Sequence, residues 1–460
     1  MNMLGAIFEK FVEASPVTVM VRAIMERIFA PDKLDDLFER TAQKQYIREL
    51  LFSTIVGLMA SVVIGMYPSV SAAYKALEKQ VGVSKTALFN KLNGLEPAIS
   101  QALVRYSSAE LVPLMKALGA TQPSELPGYD LRIVDGNHIS KTEHRVKELQ
   151  NEPAAPLPGQ SIAILDPQSQ LIVDVFPCED AHAQERSLFP EILETIKAKQ
   201  VLINDRNFCT RDMLLGTAKR QAYFITREHK SLPWEALGEL ELKGTNASGV
   251  IWEQPVKLTS EQGEELFYRR VVIKLNQPTR HGDEQIAILT NLPEAVADAS
   301  KISQLYLERW SIERMFQVVT DVFHCELKTL GYPRAALFVF CMALVAFNIL
   351  STVKAVLKSV HGQKKIEEIL SDFYMVEEIQ GTFRGMMIAI PSPSWEPFQE
   401  MDLAEFVLML QEWATKVDLS RFSRSRRGPK KQVSKKPRDP KRPHVSTARL
   451  LQAKQNKCSR

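Results

Sequence analysis

LRIVDGNHIS, residues 131–140, opens the stretch on which the fold turns. It is a short apolar run with β-branched residues, and two more follow it: SIAILDPQSQ (161–170) and QLIVDVFPCED (170–180), joined around Pro167. These read as three strands of a meander. AQERSLFPEILETIKAKQ (183–200) then has helical spacing, VLINDRNF (201–208) reads as a fourth strand, RDMLLGTAKRQ (211–221) as a short helix, and AYFITREHK (222–230) as a fifth strand. A meander followed by helix–strand alternation predicts a mixed α/β sheet. From about 231 to 285 the pattern turns to further strands, SGVIWEQPVKL (248–258) and LFYRRVVIKL (266–275) being the clearest, which reads as a β-rich insertion. QIAILTNLP (285–293) returns to the sheet and leads into an expected single helix over SKISQLYLERWSIERMFQVVTDVF (300–323).

The flanks differ in character. Residues 1 to about 125 read as helical, punctuated at Pro31, Pro68 and Pro97. Within them SAAYKALEKQVGVSKTALFNKLNGL (71–95) has helix-turn-helix spacing. A first helix ends near Gln80, Val81-Gly82-Val83 turns, and Ser84 is a good N-cap for a second helix over Lys85–Leu92, closed by Asn93-Gly94. That second helix is expected to turn Lys85, Thr86, Asn90 and Lys91 outward, types suited to phosphates and base edges, with Ala87, Leu88 and Leu92 facing in. A plain two-helix packing unit has the same pattern. Residues 351–419 read as a helical C-terminal region.

The whole chain carries only +4, but residues 420–460 hold 15 Lys and Arg against the single acid Asp439, a charge of +14 that leaves −10 for the rest. The segment is Pro-rich and poor in apolar residues, so it is expected to be disordered. A block of this kind suits a polyanion, nucleic acid first, although a solvated tail or one folded back on the acidic body has the same composition. Elsewhere the composition, 45% apolar and 24% charged, is that of a soluble globular protein, and 460 residues suggest several domains. Five scattered cysteines with no C-x-x-C pair exclude a disulfide framework and a zinc ribbon and fit a reducing compartment. MNMLGAIFEKFVEASP carries acids and no long apolar run, so no signal peptide is expected. Leu50–Tyr67 is free of charge for 18 residues, at the short end of a membrane span, and is read with the shorter Ala335–Ile349 stretch as a buried core helix; no membrane is expected as a partner.

Chemistry is expected at three places. Asp135 and Asp205 each end an apolar strand (IVDG, LINDR), where a carboxylate is costly unless a cation or hydrogen bonds satisfy it, and two such carboxylates in one sheet suit a divalent ion. Either alone is as well explained as a loop cap. On the helix over 300–323, Tyr306, Arg309, Glu313 and Gln317 share a face beside an apolar stripe of Leu305, Ile312, Phe316, Val319 and Phe323. An exposed Arg–Glu pair is the plainer reading of the same spacing.

The motif YLERWSIE, with Tyr306, Arg309 and Glu313, resembles the Y-x2-R-x3-E signature of DDE transposases of bacterial insertion sequences, the family-four group. The IVDG word, DRNF at Asp205–Phe208 and LTNLP before the helix match as well, and the resemblance covers about residues 45 to 430. It implies an RNase H-like catalytic core over 126–230 and 286–350, interrupted by the β-rich insertion and preceded by a helical DNA-binding domain. It implies that Asp135, Asp205 and Glu313 hold two Mg2+ ions, with Mn2+ as a possible substitute, for cutting element ends and joining them to target DNA. Tyr306 and Arg309 are implied to position DNA phosphate. The implied partners are the terminal inverted repeats and target DNA, with a homodimer on paired ends in the bacterial cytoplasm. Two positions depart from the pattern: Thr320 stands where a Lys is usual, and Asn207 where Gly commonly follows DR, a turn that Asn also tolerates. A DNA-binding regulator, a nuclease that never joins, and a catalytically degenerate transposase are the competing functions.

Overall fold

The structure, a computed structural model, describes residues 5–45, 49–121, 124–151, 153–279, 282–323, 325–425 and 444–458. Seven helices come first: α1 (Ala6–Ala14), α2 (Pro16–Ile28), α3 (Pro31–Thr41), α4 (Phe52–Val63), α5 (Val70–Val81), α6 (Lys85–Gly94) and α7 (Pro97–Ala117). The strands are β1 (Asp130–His138), β2 (Ala155–Leu157), β3 (Gln160–Asp166), β4 (Leu171–Cys178), β5 (Gln200–Asn204), β6 (Tyr223–Arg227), β7 (Glu235–Ala236), β8 (Glu241–Asn246), β9 (Gly249–Thr259), β10 (Glu265–Leu275), β11 (Gln285–Thr290) and, at the far end of the chain, β12 (His444–Ser446). Helices α8 (Phe189–Thr195) and α9 (Arg211–Lys219) lie among them. After the strands come α10 (Ala299–Leu307), α11 (Trp310–Asp321), α12 (Pro333–His361), α13 (Gln363–Ile369), α14 (Asp372–Ala389), α15 (Pro397–Glu400), α16 (Leu403–Thr415) and α17 (Thr447–Cys458).

The result is a mixed α/β fold around one ten-stranded sheet of order β4-β3-β1-β5-β6-β11-β10-β9-β7, with β8 paired to β9. The meander β1, β3, β4 is antiparallel, whereas β1, β5 and β6 run parallel. The strands between 235 and 275 do not form a separate sheet: β11 pairs with β6 and carries β10 and β9 onto the same one.

Helix α12 is the pillar of the core. The Ala335–Ile349 stretch, too short by itself to span a bilayer, is part of a 29-residue helix that is long and apolar enough by length and composition, and its most apolar 18 residues are wholly buried inside the fold. Strand β4 ends the sheet and would present unpaired backbone groups there. Asn348 of α12, fully buried, answers them. Its Oδ1 accepts from Ile172 N at 2.7 Å and its Nδ2 donates to Ile172 O at 2.9 Å. On the same strand Arg105 of α7 grips Asp174 through two bonds of 2.7 and 2.8 Å.

Four expectations change. The helix expected over 183–200 is a 3-10 turn, Glu185–Leu188, running into the two-turn α8, which ends at Thr195. The single helix expected over 300–323 is α10 and α11, separated at Glu308 and Arg309, where amides bond three residues back: Glu308 N to Leu305 O, Arg309 N to Tyr306 O, Ser311 N to Glu308 O. Such 3-10 bonding tightens the turn and shifts the phase of α11 relative to α10. Asp135 does not end its strand, since β1 runs on to His138 against β3. Finally, the tail expected to lack structure over 420–460 folds over 444–458. There β12 pairs with β2, Arg449 bonds Asp180 at 2.6 Å and Lys454 reaches Glu148 at 3.5 Å. Its remaining basic stretch, 426–443, lies outside the described residues.

Asn348→Leu strands two buried backbone groups of Ile172 in an apolar wall, each worth about 1–3 kcal/mol. Denaturant unfolding is expected to show a loss of several kcal/mol, unlike Asn348→Gln, which retains both donor and acceptor. Equal stability of Asn348→Leu and wild type would remove Asn348 as the lock of this edge.

Candidate active site

Parallel pairing brings the two aspartates together. β1 and β5 run in register from Asp130 opposite Gln200 to Val134 opposite Asn204, where β5 stops. Asp135 and Asp205 are the next residue on each strand, so they stand side by side at the edge of the parallel pair, about one strand spacing of ~4.8 Å apart in backbone. Asp205 caps the 3-10 turn Arg206–Phe208, its Oδ1 accepting from Asn207 N at 2.8 Å. Asp135 Oδ1 accepts from Gly136 N at 2.9 Å.

Arg309 joins Asp135 to the third carboxylate. Its Nη1 donates to Asp135 Oδ2 at 3.1 Å and its Nη2 pairs with Glu313 Oε1 at 2.6 Å, one turn along in α11. The 3-10 turn before α11 is what aims it: residues three apart eclipse in such a turn. The guanidinium accordingly lies 5.9 Å from the buried Tyr306 ring and 5.3 Å from the exposed Trp310 ring. Burial raises the Tyr306 hydroxyl above its ordinary range.

The carboxylates here act on one another. Burial first, then the neighbouring charges of Asp205 and Glu313, push the Asp135 carboxyl up to about 7, against the opposing pull of Arg309 and the Gly136 amide. Among the described residues no three carboxylates, imidazoles or thiols close on one point. Arg309 stands between Asp135 and Glu313. Carboxylate oxygens are the donors hard divalent ions prefer, and this donor set fits one once the guanidinium turns away.

A fourth acid lies at the same edge, and the sequence reading passed over it. Glu185 Oε2 accepts from Asn207 Nδ2 at 3.2 Å, and a Cβ built on Gly136 would overlap Glu185 Oε1. Burial, then Asp205, raises its carboxyl. Helical spacing alone could not expose it; the register of β1 against β5 does.

The remaining sequence candidates lie elsewhere. Lys85, Thr86 and Asn90 are exposed on α6, which Ser84 caps through Ala87 N at 3.2 Å, in the N-terminal helices and not at the sheet edge. Lys91, expected to face outward, is half-buried with its ammonium 4.3 Å from the Phe38 ring of α3; Ala87, expected to face inward, is exposed. His138 is exposed at the end of β1. Thr320 is half-buried in the last turn of α11, and Lys328 is exposed beyond it, its carbonyl accepting from Glu143 N at 2.8 Å.

Residues 126–349 match the family model described as the transposase DDE domain. No curated protein matches the chain. Among solved structures, the cryo-EM structure of the piggyBac transposase synaptic complex with hairpin DNA aligns over 90% of this chain and 87% of that one, at 7% identity and a TM-score of 0.36.

A raised carboxyl makes a signed prediction. The fold favours protonated Asp135, so that stability is present below the unfolded value near 4 and is lost as pH rises toward 7. With divalent ions chelated, Asp135→Asn is therefore expected to raise the melting temperature by several degrees at pH 8 and by little at pH 4.5. An equal difference at both pH values would contradict the buried, cation-seeking charge.

Proposed function

From a chain whose residues 126–349 match the family model of a transposase DDE domain, we propose a metal-dependent transposase that cuts the ends of a mobile DNA element and transfers them into target DNA. The observation that supports this most is the meeting of Asp135 and Asp205 at one register position, with Arg309 holding Glu313 to Asp135. The β4-β3-β1-β5-β6 part of the sheet is read as an RNase H-like core over 126–230 and 286–350, with 231–285 inserted, 1–125 as the helical DNA-binding domain and 351–419 as a C-terminal helical region.

Asp135, Asp205 and Glu313 would hold divalent ions, Mg2+ or Mn2+. When bound, such ions polarise the scissile phosphate and activate the attacking oxygen, a water for cleavage or a 3′-hydroxyl for joining. The chain's own residues do the rest. Arg309, released from the carboxylates, would take DNA phosphate, with the buried Tyr306 ring 5.9 Å from its guanidinium. Lys85, Thr86 and Asn90 offer phosphate and base-edge contacts from α6, with Lys91 confined to the helix margin by Phe38. The basic residues of 420–460 add sequence-independent affinity. Two ends must be cut and joined together, which favours a homodimer on paired ends. The resemblance of YLERWSIE to the family-four signature supports a bacterial insertion sequence as the setting of this chemistry and the cytoplasm as its compartment.

The test is cleavage of linear DNA carrying the boundaries of the protein's own gene, in Mg2+ or EDTA. Losing a carboxylate ligand forfeits several kcal/mol of transition-state stabilisation, on the order of a 10³-fold rate loss. Asp205→Asn and Glu313→Gln are expected to lose cutting by that factor while still binding ends. Cation-independent cutting, or full activity in either variant, would refute the assignment.

The tail makes a separate prediction. Replacing the nine Lys and Arg between 426 and 443 with Gln is expected to weaken binding to all DNA and to flatten the dependence of affinity on salt. An unchanged salt slope would deny the segment a phosphate role.

A further inference from the structure

Glu185 opens the 3-10 turn that follows β4 and reaches the sheet edge from the face opposite α11. Alternation along β1 shows this. Ile133, on the Asp135 side, packs in the helical core with Ile312 and Met315 of α11, whereas Val134, on the Gly136 side, packs with Leu188 and Phe189. Glu185 arrives on that second side.

Two independent features hold its carboxylate there. Gly136 supplies the space, since any side chain at that position would overlap Glu185 Oε1. Asn207 supplies the link: its backbone amide serves Asp205 Oδ1 at 2.8 Å while its side chain serves Glu185 Oε2 at 3.2 Å. Glycine, the residue common at this place, could do only the first. Among the described residues no Lys, Arg or His forms an ion pair with Glu185 within 4.0 Å. An acid in the first turn of a helix is often explained by the helix dipole. Here the side chain turns away from its own turn toward Gly136 and Asn207.

We propose that Glu185 is a fourth carboxylate facing the divalent cation held by Asp205, positioned by Asn207 and admitted by Gly136. This rests on the two-aspartate reading above. Two half-buried anions side by side repel and favour a shared cation; His138 acts on Glu185 only by its charge, without an ion pair, and Arg309 is committed on the other face to Asp135 and Glu313. The site would then be clamped from both faces of the sheet: Glu313 from α11 and Glu185 from the turn before α8.

The test is binding of Mn2+ alone to the full-length, chelator-treated protein, followed by loss of the free-ion electron paramagnetic resonance signal, in wild type, Glu185→Gln, Gly136→Ala and Asp205→Asn. Glu185→Gln retains an acceptor for Asn207 and removes only the charge. Gly136→Ala retains the charge and displaces it. Both are expected to weaken Mn2+ binding about tenfold or more, the scale seen when a metal ligand's surroundings are altered, with Asp205→Asn weaker still. Wild-type affinity in Glu185→Gln and Gly136→Ala, with loss in Asp205→Asn, would overturn the role of Glu185 and leave the aspartate reading intact. No Mn2+ binding by wild type would overturn both.

Discussion

A carboxylate taken out of water must be answered by positive charge or hydrogen bonds, and at the edge of this sheet one Arg answers two of four carboxylates, Asp135 and Glu313, while Asn207 serves the other two. That imbalance organises the centre of the molecule. Asp135 is placed by a strand that continues past its parallel neighbour, Asp205 by the end of that neighbour, and Arg309 by a tightened turn between two helices. Each element brings one charge to the same few ångströms, and the guanidinium resolves part of the resulting repulsion. The guanidinium does not offset the whole cost of burial, as the raised Asp135 carboxyl reflects.

Such a cluster needs a frame that does not yield. Burying like charges costs free energy that the rest of the fold supplies, through the apolar pillar of α12 and the polar lock of Asn348 on β4. The long apolar helix is thus a structural device inside the protein, all of its most apolar stretch covered. The end of the tail adds a further tie. Arg449 joins Asp180, five residues before Glu185, so that the polar face of the C-terminal helix rests on the loop that carries the fourth acid.

Much of this was readable from residues alone, for definable reasons. The β-branched runs at 131–140, 161–170 and 201–208 named their strands because period and composition agree there. YLERWSIE named the third carboxylate because an unusual word was embedded in familiar surroundings. What failed depended on contacts that sequence spacing does not carry. The helix break at Glu308–Arg309 has no Gly or Pro to announce it. Lys91 was assigned to the outer face by helical phase, yet the Phe38 ring from a helix some fifty residues away draws it in. The docking of 444–446 beside 155–157 joins segments nearly 300 residues apart. Glu185 could be recognised only after β1 and β5 were set in register, because nothing in its own neighbourhood distinguishes it from an acid at a helix start.

In the proposed function, Arg309 occupies, between Asp135 and Glu313, the place a divalent cation would take when DNA is bound. The most direct measurement is the anomalous difference density of Mn2+ in crystals of the protein with a cleaved element end. The expected result is a peak bounded by Asp135, Asp205 and Glu313, with the Arg309 guanidinium turned from the carboxylates to a DNA phosphate. Arg309 still bridging Asp135 and Glu313, with Mn2+ bound elsewhere, would contradict it.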